Sequence, residues 1–207
     1  MAPIRVALTF DAEHADRPDA VGTERLLEVF AAVGARATFF LQGRWVESVP
    51  SVAHALVDGR HVIGSHGYYH GRMSHLTDAG IADDVERAEE AIRQACGVDP
   101  RPWFRCPFGD GASDARVLGA ITAAGYRHVG WHVDSEDWAE GATAEGLERR
   151  VREGIREAGD GAVVLLHGWP AVTPTVVERL LASARDDGVA YVGIDELGQT
   201  PVESVPW

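Results

Sequence analysis

Two histidines, His66 and His70, lie four residues apart in the stretch Gly64-Ser65-His66-Gly67-Tyr68-Tyr69-His70. If the chain makes one helical turn there, both rings fall on one face and their nitrogens can converge on a single cation. The same spacing equally suits two partly exposed surface histidines, so the pair marks a metal site that still lacks its acid ligands. Other residues able to do chemistry recur along the chain. Asp11 follows Thr9-Phe10, Arg105 precedes Cys106-Pro107-Phe108-Gly109, Asp134 and Asp137 precede Trp138, and His167 follows Leu165-Leu166.

Nearly all of these stand at the carboxyl end of an apolar run. Residues 4–10 read as a strand closed by Asp11, and residues 23–33 as a helix capped by Thr23 and stopped by Gly34. The unit then repeats. Strands are expected over 35–41, 61–64, 101–105, 127–133, 162–166 and 189–194, and helices over 49–58, 81–95, 114–124, 143–158 and 175–186. Seven apolar strands alternating with helices imply a parallel sheet, either doubly wound or closed as a barrel. In a barrel the strand ends meet at one mouth, whereas an open sheet spreads them along an edge, so the placement of Asp11, His66, Arg105, Asp134 and His167 favours a (β/α) barrel. No Pro/Gly/Ser-rich linker or long charge block divides residues 1–207, which read as a single α/β domain.

The chain has 207 residues, enough for a core without staples, and its two cysteines, Cys96 and Cys106, give no zinc-knuckle spacing. Acidic residues outnumber Lys and Arg by 32 to 19, for a net charge of −13. That balance disfavours nucleic acid, anionic membrane and anionic wall polymer as partners and accommodates a neutral substrate, while also serving solubility. The first residues run straight into a strand with no signal-peptide pattern, and no segment has membrane-spanning length. The expectation is a cytoplasmic protein, or a secreted one if the sequence is a trimmed piece.

In order, Thr9-Phe10-Asp11, Ser65-His66-Gly67-Tyr68-Tyr69-His70, Arg105-Cys106-Pro107-Phe108-Gly109, Asp134-Ser135-Glu136-Asp137-Trp138 and Leu165-Leu166-His167 resemble the five-motif series of the polysaccharide deacetylases. These are carbohydrate esterase family 4, the NodB-homology domain. The resemblance implies a distorted (β/α) barrel with about seven parallel strands, a divalent metal ion, usually Zn2+, and removal of N-acetyl groups from amino sugars or N-acetylated saccharides. It casts Asp11 as catalytic base, Arg105 as the partner holding that carboxylate, the Phe108 backbone N–H as oxyanion donor, His167 as general acid and Asp137 as its orienting carboxylate. His66 and His70 match the two histidine ligands. Trp138 and Trp169 offer faces for a sugar ring, although tryptophan is more often core. Hydrolysis of an amide needs such a set: an activated water, a site for the oxyanion and an acid for the departing amine.

The family usually reads Thr-Phe-Asp-Asp, its second aspartate binding metal, and here that position is Ala12. Glu13 is the nearest carboxylate and the expected third ligand, with His14 and Asp16 as the other choices. Cys106 stands where proline is usual and Gly168 where aspartate is common. Cys106 has no local histidine or helix N-terminus to activate it as a nucleophile. Two other functions compete: deacylation of a small N-acylated cytoplasmic metabolite, and carbohydrate binding without catalysis. The sequence leaves oligomeric state open.

Overall fold

The computed structural model describes residues 2–14 and 21–198. Its central strand, β1 (Ile4–Ala12), decides which side chains meet. Side chains alternate along a strand, so every second residue faces the same way. Val6, Leu8, Phe10 and Ala12 pack into an outer apolar cluster with the helices. Ala7 joins an inner cluster, and Thr9 and Asp11 continue that buried inner face toward the carboxyl end.

After β1 the chain runs α1 (Val21–Val33), β2 (Thr38–Leu41), α2 (Gly43–Ser48), α3 (Pro50–Asp58), β3 (Val62–Ser65), α4 (Asp78–Cys96), β4 (Trp103–Phe104) and α5 (Ala115–Ala123). It continues through β5 (Arg127–His128), β6 (Val133–Asp134), α6 (Ala144–Ala158), β7 (Ala162–His167), α7 (Thr173–Ser183) and β8 (Val189–Val192). All pairings are parallel, in the order β5-β4-β3-β2-β1-β7-β6. β8 pairs with Ile4–Ala7 and β2 with Thr9–Ala12, so these two share one edge of β1 while β7 takes the other.

The expected strand over 127–133 divides into β5 and β6 because it changes partner. Val129 N–H donates to the Phe104 carbonyl at 2.7 Å, and three residues later His132 N–H donates to Val163 at 2.9 Å. The segment thus leaves β4 and crosses to β7, so the two ends of the curled sheet are successive pieces of one stretch of chain. Between them Val129 and Trp131 fill the inner cluster with Phe40, Val163 and Leu165. Counting β5 and β6 as one, the seven expected strands are present, and the architecture is the distorted α/β barrel.

The helices follow their apolar stripes. In α6, Leu147, Val151 and Ile155 are buried, and Thr143 caps the start by accepting the Gly146 N–H. α4 begins at a Thr77 cap and ends at Gly97, whose φ of 71° is the left-handed conformation glycine tolerates. Several expectations need correction: α1 begins at Val21, so Thr23 lies inside it and is not its cap, and α4 begins at Asp78 rather than 81. Residues 43–48 form α2, a six-residue helix with no side-chain cap and too short to show a period. α7 starts at Thr173 rather than 175, with Pro174 in its first turn, where a missing N–H costs nothing. Among the described residues no helix is long and apolar enough to cross a membrane.

Candidate active site

The inner face of β1 carries the first site residues. Asp11 lies two residues beyond Thr9, and Glu13 two beyond Asp11; all three are buried. Arg105, just past β4, is fully buried and reaches across to them. Its guanidinium donates to Asp11 Oδ1 at 2.9 Å, to Thr9 Oγ1 at 2.8 Å, and to the carbonyls of Val129 and Gly130 at 3.1 and 3.2 Å. The Thr9 hydroxyl in turn donates a hydrogen bond to the Val164 carbonyl at 2.6 Å. The guanidinium also lies over the Phe40 ring, 4.2 Å from its centroid. Burial pulls the arginine pKa down, against Asp11, yet a guanidinium stays charged.

Glu13, His66 and His70 converge: one ligand atom from each lies within 4.8 Å of the others. Glu13 Oε2 is 3.3 Å from His66 Nε2 and in close contact with His70 Nε2, while Asp11 Oδ2 lies 3.5 Å from His66 Nε2. His66 donates its Nδ1–H to the Arg105 carbonyl at 2.9 Å, which turns Nε2 toward the carboxylates.

No helical turn brings the two histidines together. His66 directly follows β3, and the chain then turns through Gly67 (φ 69°) and His70 (φ 61°). Asp84 of α4 holds that bend, accepting the backbone N–H groups of Tyr68 and Tyr69 at 2.9 Å each. A Cβ on Gly67 would stand 2.4 Å from Asp84 Oδ2, so the close approach requires glycine as well as the positive φ.

Burial opposes charge on Glu13, but hydrogen bonds from His66 and His70 hold its carboxyl well below the usual range. Burial likewise opposes a charged His66, and Asp11 with Glu13 reverses that. The cluster therefore favours positive charge between its carboxylates. Two imidazole nitrogens and a carboxylate oxygen, with one imidazole oriented by a backbone carbonyl, form a donor set that fits a divalent cation such as zinc.

His167 ends β7, and the β1–β7 register makes it the direct partner of Asp11. Its Nδ1–H donates to Asp137 Oδ1 at 2.7 Å, and its backbone N–H donates to Asp137 Oδ2 at 2.8 Å. Thr173, the first residue of α7, adds a 2.6 Å hydrogen bond to Oδ2. Burial works against the protonated ring, but the Asp137 hydrogen bond and charge, with Asp11 and Glu13, raise its pKa to about 9.

The remaining expected residues fall around this centre. Phe108 takes the left-handed conformation, φ 59°, and its ring lies 4.5 Å from that of His70. Trp169 donates Nε1–H to Glu13 Oε1 at 3.3 Å. Its ring meets His14 edge-on at 4.8 Å and His167 at 6.0 Å. Trp138, next to Asp137, is exposed. His14 faces Glu13 Oε1 at 3.4 Å from outside the three-residue cluster, and Asp16 lies outside the described residues. Cys106 is buried and its thiol is pushed far up by burial, which leaves it inert as a nucleophile. Gly168 replaces the commoner aspartate where Thr23 Oγ1 would lie 2.6 Å from any Cβ. Asp84 and Thr173 were missed. The signal for Asp84 was present: it interrupts the buried stripe Ile81, Val85, Ala88, Ile92 with a charge.

The polysaccharide deacetylase family matches residues 2–129, a stretch that includes Asp11, Glu13, His66, His70, Arg105 and Phe108 but ends before Asp137 and His167. The protein YlxY of Bacillus subtilis is 33% identical over 174 residues, 84% of this chain and 52% of its own, so this chain spans about half of it. A chitooligosaccharide deacetylase of Bradyrhizobium is 34% identical over 166 residues, covering 80% of this chain and 71% of the relative. The solved structure of a T48 deacetylase with substrate has a TM-score of 0.80 at 33% identity, covering 94% of this chain and 90% of that one. A CE4 family pseudoenzyme from Bacillus anthracis has a TM-score of 0.84 at 27% identity, covering 97% and 67%. With the family matched over more than half of its length, the chain belongs to the polysaccharide deacetylases, carbohydrate esterase family 4.

Proposed function

We propose that this protein is a metal-dependent hydrolase that removes an N-acetyl group from an amino sugar or N-acetylated saccharide. The observation that carries the reading is the convergence of Glu13, His66 and His70 between a carboxylate fixed by arginine and a histidine fixed by carboxylate. The Bradyrhizobium relative, a chitooligosaccharide deacetylase, supports the carbohydrate class.

Glu13, His66 and His70 would hold a divalent cation, which when bound would supply Lewis acidity to the acyl carbonyl and to the attacking water. Asp11 takes the proton from that water, its Oδ1 held by Arg105 and its Oδ2 turned toward His66. The Phe108 backbone N–H donates to the oxyanion that develops on the carbonyl oxygen. His167, protonated and with Nδ1 committed to Asp137, gives the Nε2 proton to the departing amine as the C–N bond breaks. Trp169, which borders this centre, and the exposed Trp138, which follows Asp137, would offer faces to the apolar side of a sugar ring.

Acetate release from N-acetylated chito-oligomers and monosaccharides, followed with and without a chelator, tests the proposal. Release that chelation abolishes and zinc restores is expected. No release from any of these sugars would overturn it. The likeness to the pseudoenzyme favours one other reading, a carbohydrate-binding protein without turnover. Against it stand the intact base and acid. Sugar binding by calorimetry with no acetate release would identify that case.

A further inference from the structure

On the reading that Glu13, His66 and His70 hold a cation, we propose that Trp169 is a positioning residue of the metal site: its indole N–H fixes Glu13 so that Oε2 alone faces the two histidines. Position 12 belongs to the outer core, so the acidic ligand of this chain sits one residue later and on a longer arm. A glutamate has one more rotatable bond than an aspartate and must be held to present one oxygen. Its two oxygens are in fact divided. Oε2 faces His66 at 3.3 Å and touches His70, while Oε1 accepts Trp169 Nε1–H at 3.3 Å. His14 stands 3.4 Å from the same Oε1 and is itself packed edge-on against the indole.

The loop that carries Trp169 is anchored to β1 and α1. Gly168 N–H donates to the Asp11 carbonyl at 3.0 Å, and the Gly168 carbonyl accepts from Thr23 Oγ1 at 3.3 Å. The indole therefore reaches Glu13 from a fixed base, and the same loop begins at His167. Outer partners of this kind set ligand orientation, and their loss costs roughly tenfold to a hundredfold in metal affinity. A tryptophan that served only as core or as a sugar platform would need its ring but not its N–H.

Zinc titration of the metal-stripped protein against a chromophoric chelator separates the two roles. Trp169→Phe keeps the aromatic face and deletes the donor, and zinc binding is expected to weaken about tenfold. In a Glu13→Asp background the shorter arm draws the carboxylate away from the indole, and the same change is expected to cost nothing further. Equal affinity in the parent and Trp169→Phe would overturn the proposal, as would an equal loss in both backgrounds, the mark of general damage to the fold. A parent protein that binds no zinc removes the metal reading itself, an outcome distinct from either.

Discussion

Asp11 and Glu13 share a face of β1 while Ala12 faces the helices, and this two-residue period decides where an acidic ligand can stand. Restoring the usual family aspartate by Ala12→Asp therefore adds no ligand. It buries an unpaired carboxyl group, driven to its neutral form, in the outer core, at a cost of about 2–7 kcal/mol. The expected result is a lower melting temperature with no gain in zinc affinity; a tighter site would contradict the facing of β1. At His167 the relevant quantity is charge. Its ordinary value is 6.5 and its folded value about 9 before a cation offsets the charges of Asp11 and Glu13, so the Asp137 pair keeps the acid protonated near neutral pH and kcat/KM of the metal-loaded protein falls on the alkaline side, at a pH below about 9. By linkage, the stability from this group is fully present below 6.5 and is lost as pH rises through 9. Asp137→Asn removes the main stabilising partner, so the alkaline limb moves to lower pH and the rate near neutrality falls by about a hundredfold. A pH–rate profile checks this, and an unmoved limb would remove His167 as the acid.

Among the elements, α4 matters most to the proposed cation site. It brings Asp84 under the 67–70 bend and so sets where His70 points. Asp84→Asn leaves one of the two backbone donors without a good acceptor, a loss of about 1–3 kcal/mol, and is expected to weaken zinc binding although residue 84 touches no ligand. Calorimetric zinc titration of this variant would contradict the account if affinity were unchanged. The bend also marks what was hidden in the sequence. The spacing of His66 and His70 suggested a helical turn, but two residues at positive φ and a carboxylate from the following helix produce the same convergence. Spacing limits which residues can meet and does not fix the backbone path between them. The strand ends were more legible, because an apolar run closed by a polar residue reads the same whether or not the strand later changes partner, as residues 127–134 do.

For the molecule as a whole, Arg105 ties the barrel to the chemistry. It joins the end of β1 through Thr9 and Asp11 to Val129 and Gly130, where the sheet passes from β4 to β7. Arg105→Met leaves Asp11 buried without its cation, and is expected to cost about 3–5 kcal/mol as well as activity. Urea unfolding that placed the variant within 1 kcal/mol of the parent, roughly the worth of an exposed pair, would contradict a spanning role. Motif order and strand ends were readable in the sequence, as was Glu13 as the carboxylate nearest to the usual aspartate position. The division of labour between the two oxygens of Glu13 was not, because it depends on a tryptophan 156 residues away.

On the proposed reading, one cation at Glu13, His66 and His70 makes this a working deacetylase. Stepwise addition of zinc to metal-stripped protein, with acetate release from an N-acetylated chito-oligomer followed at each step, addresses it directly. Release should climb with zinc and level off at one metal per chain. His167→Ala should take up the same zinc without turnover, and His66→Ala should lose both. Release that does not depend on zinc, or zinc uptake lost to the same degree in His167→Ala and His66→Ala, would contradict the account.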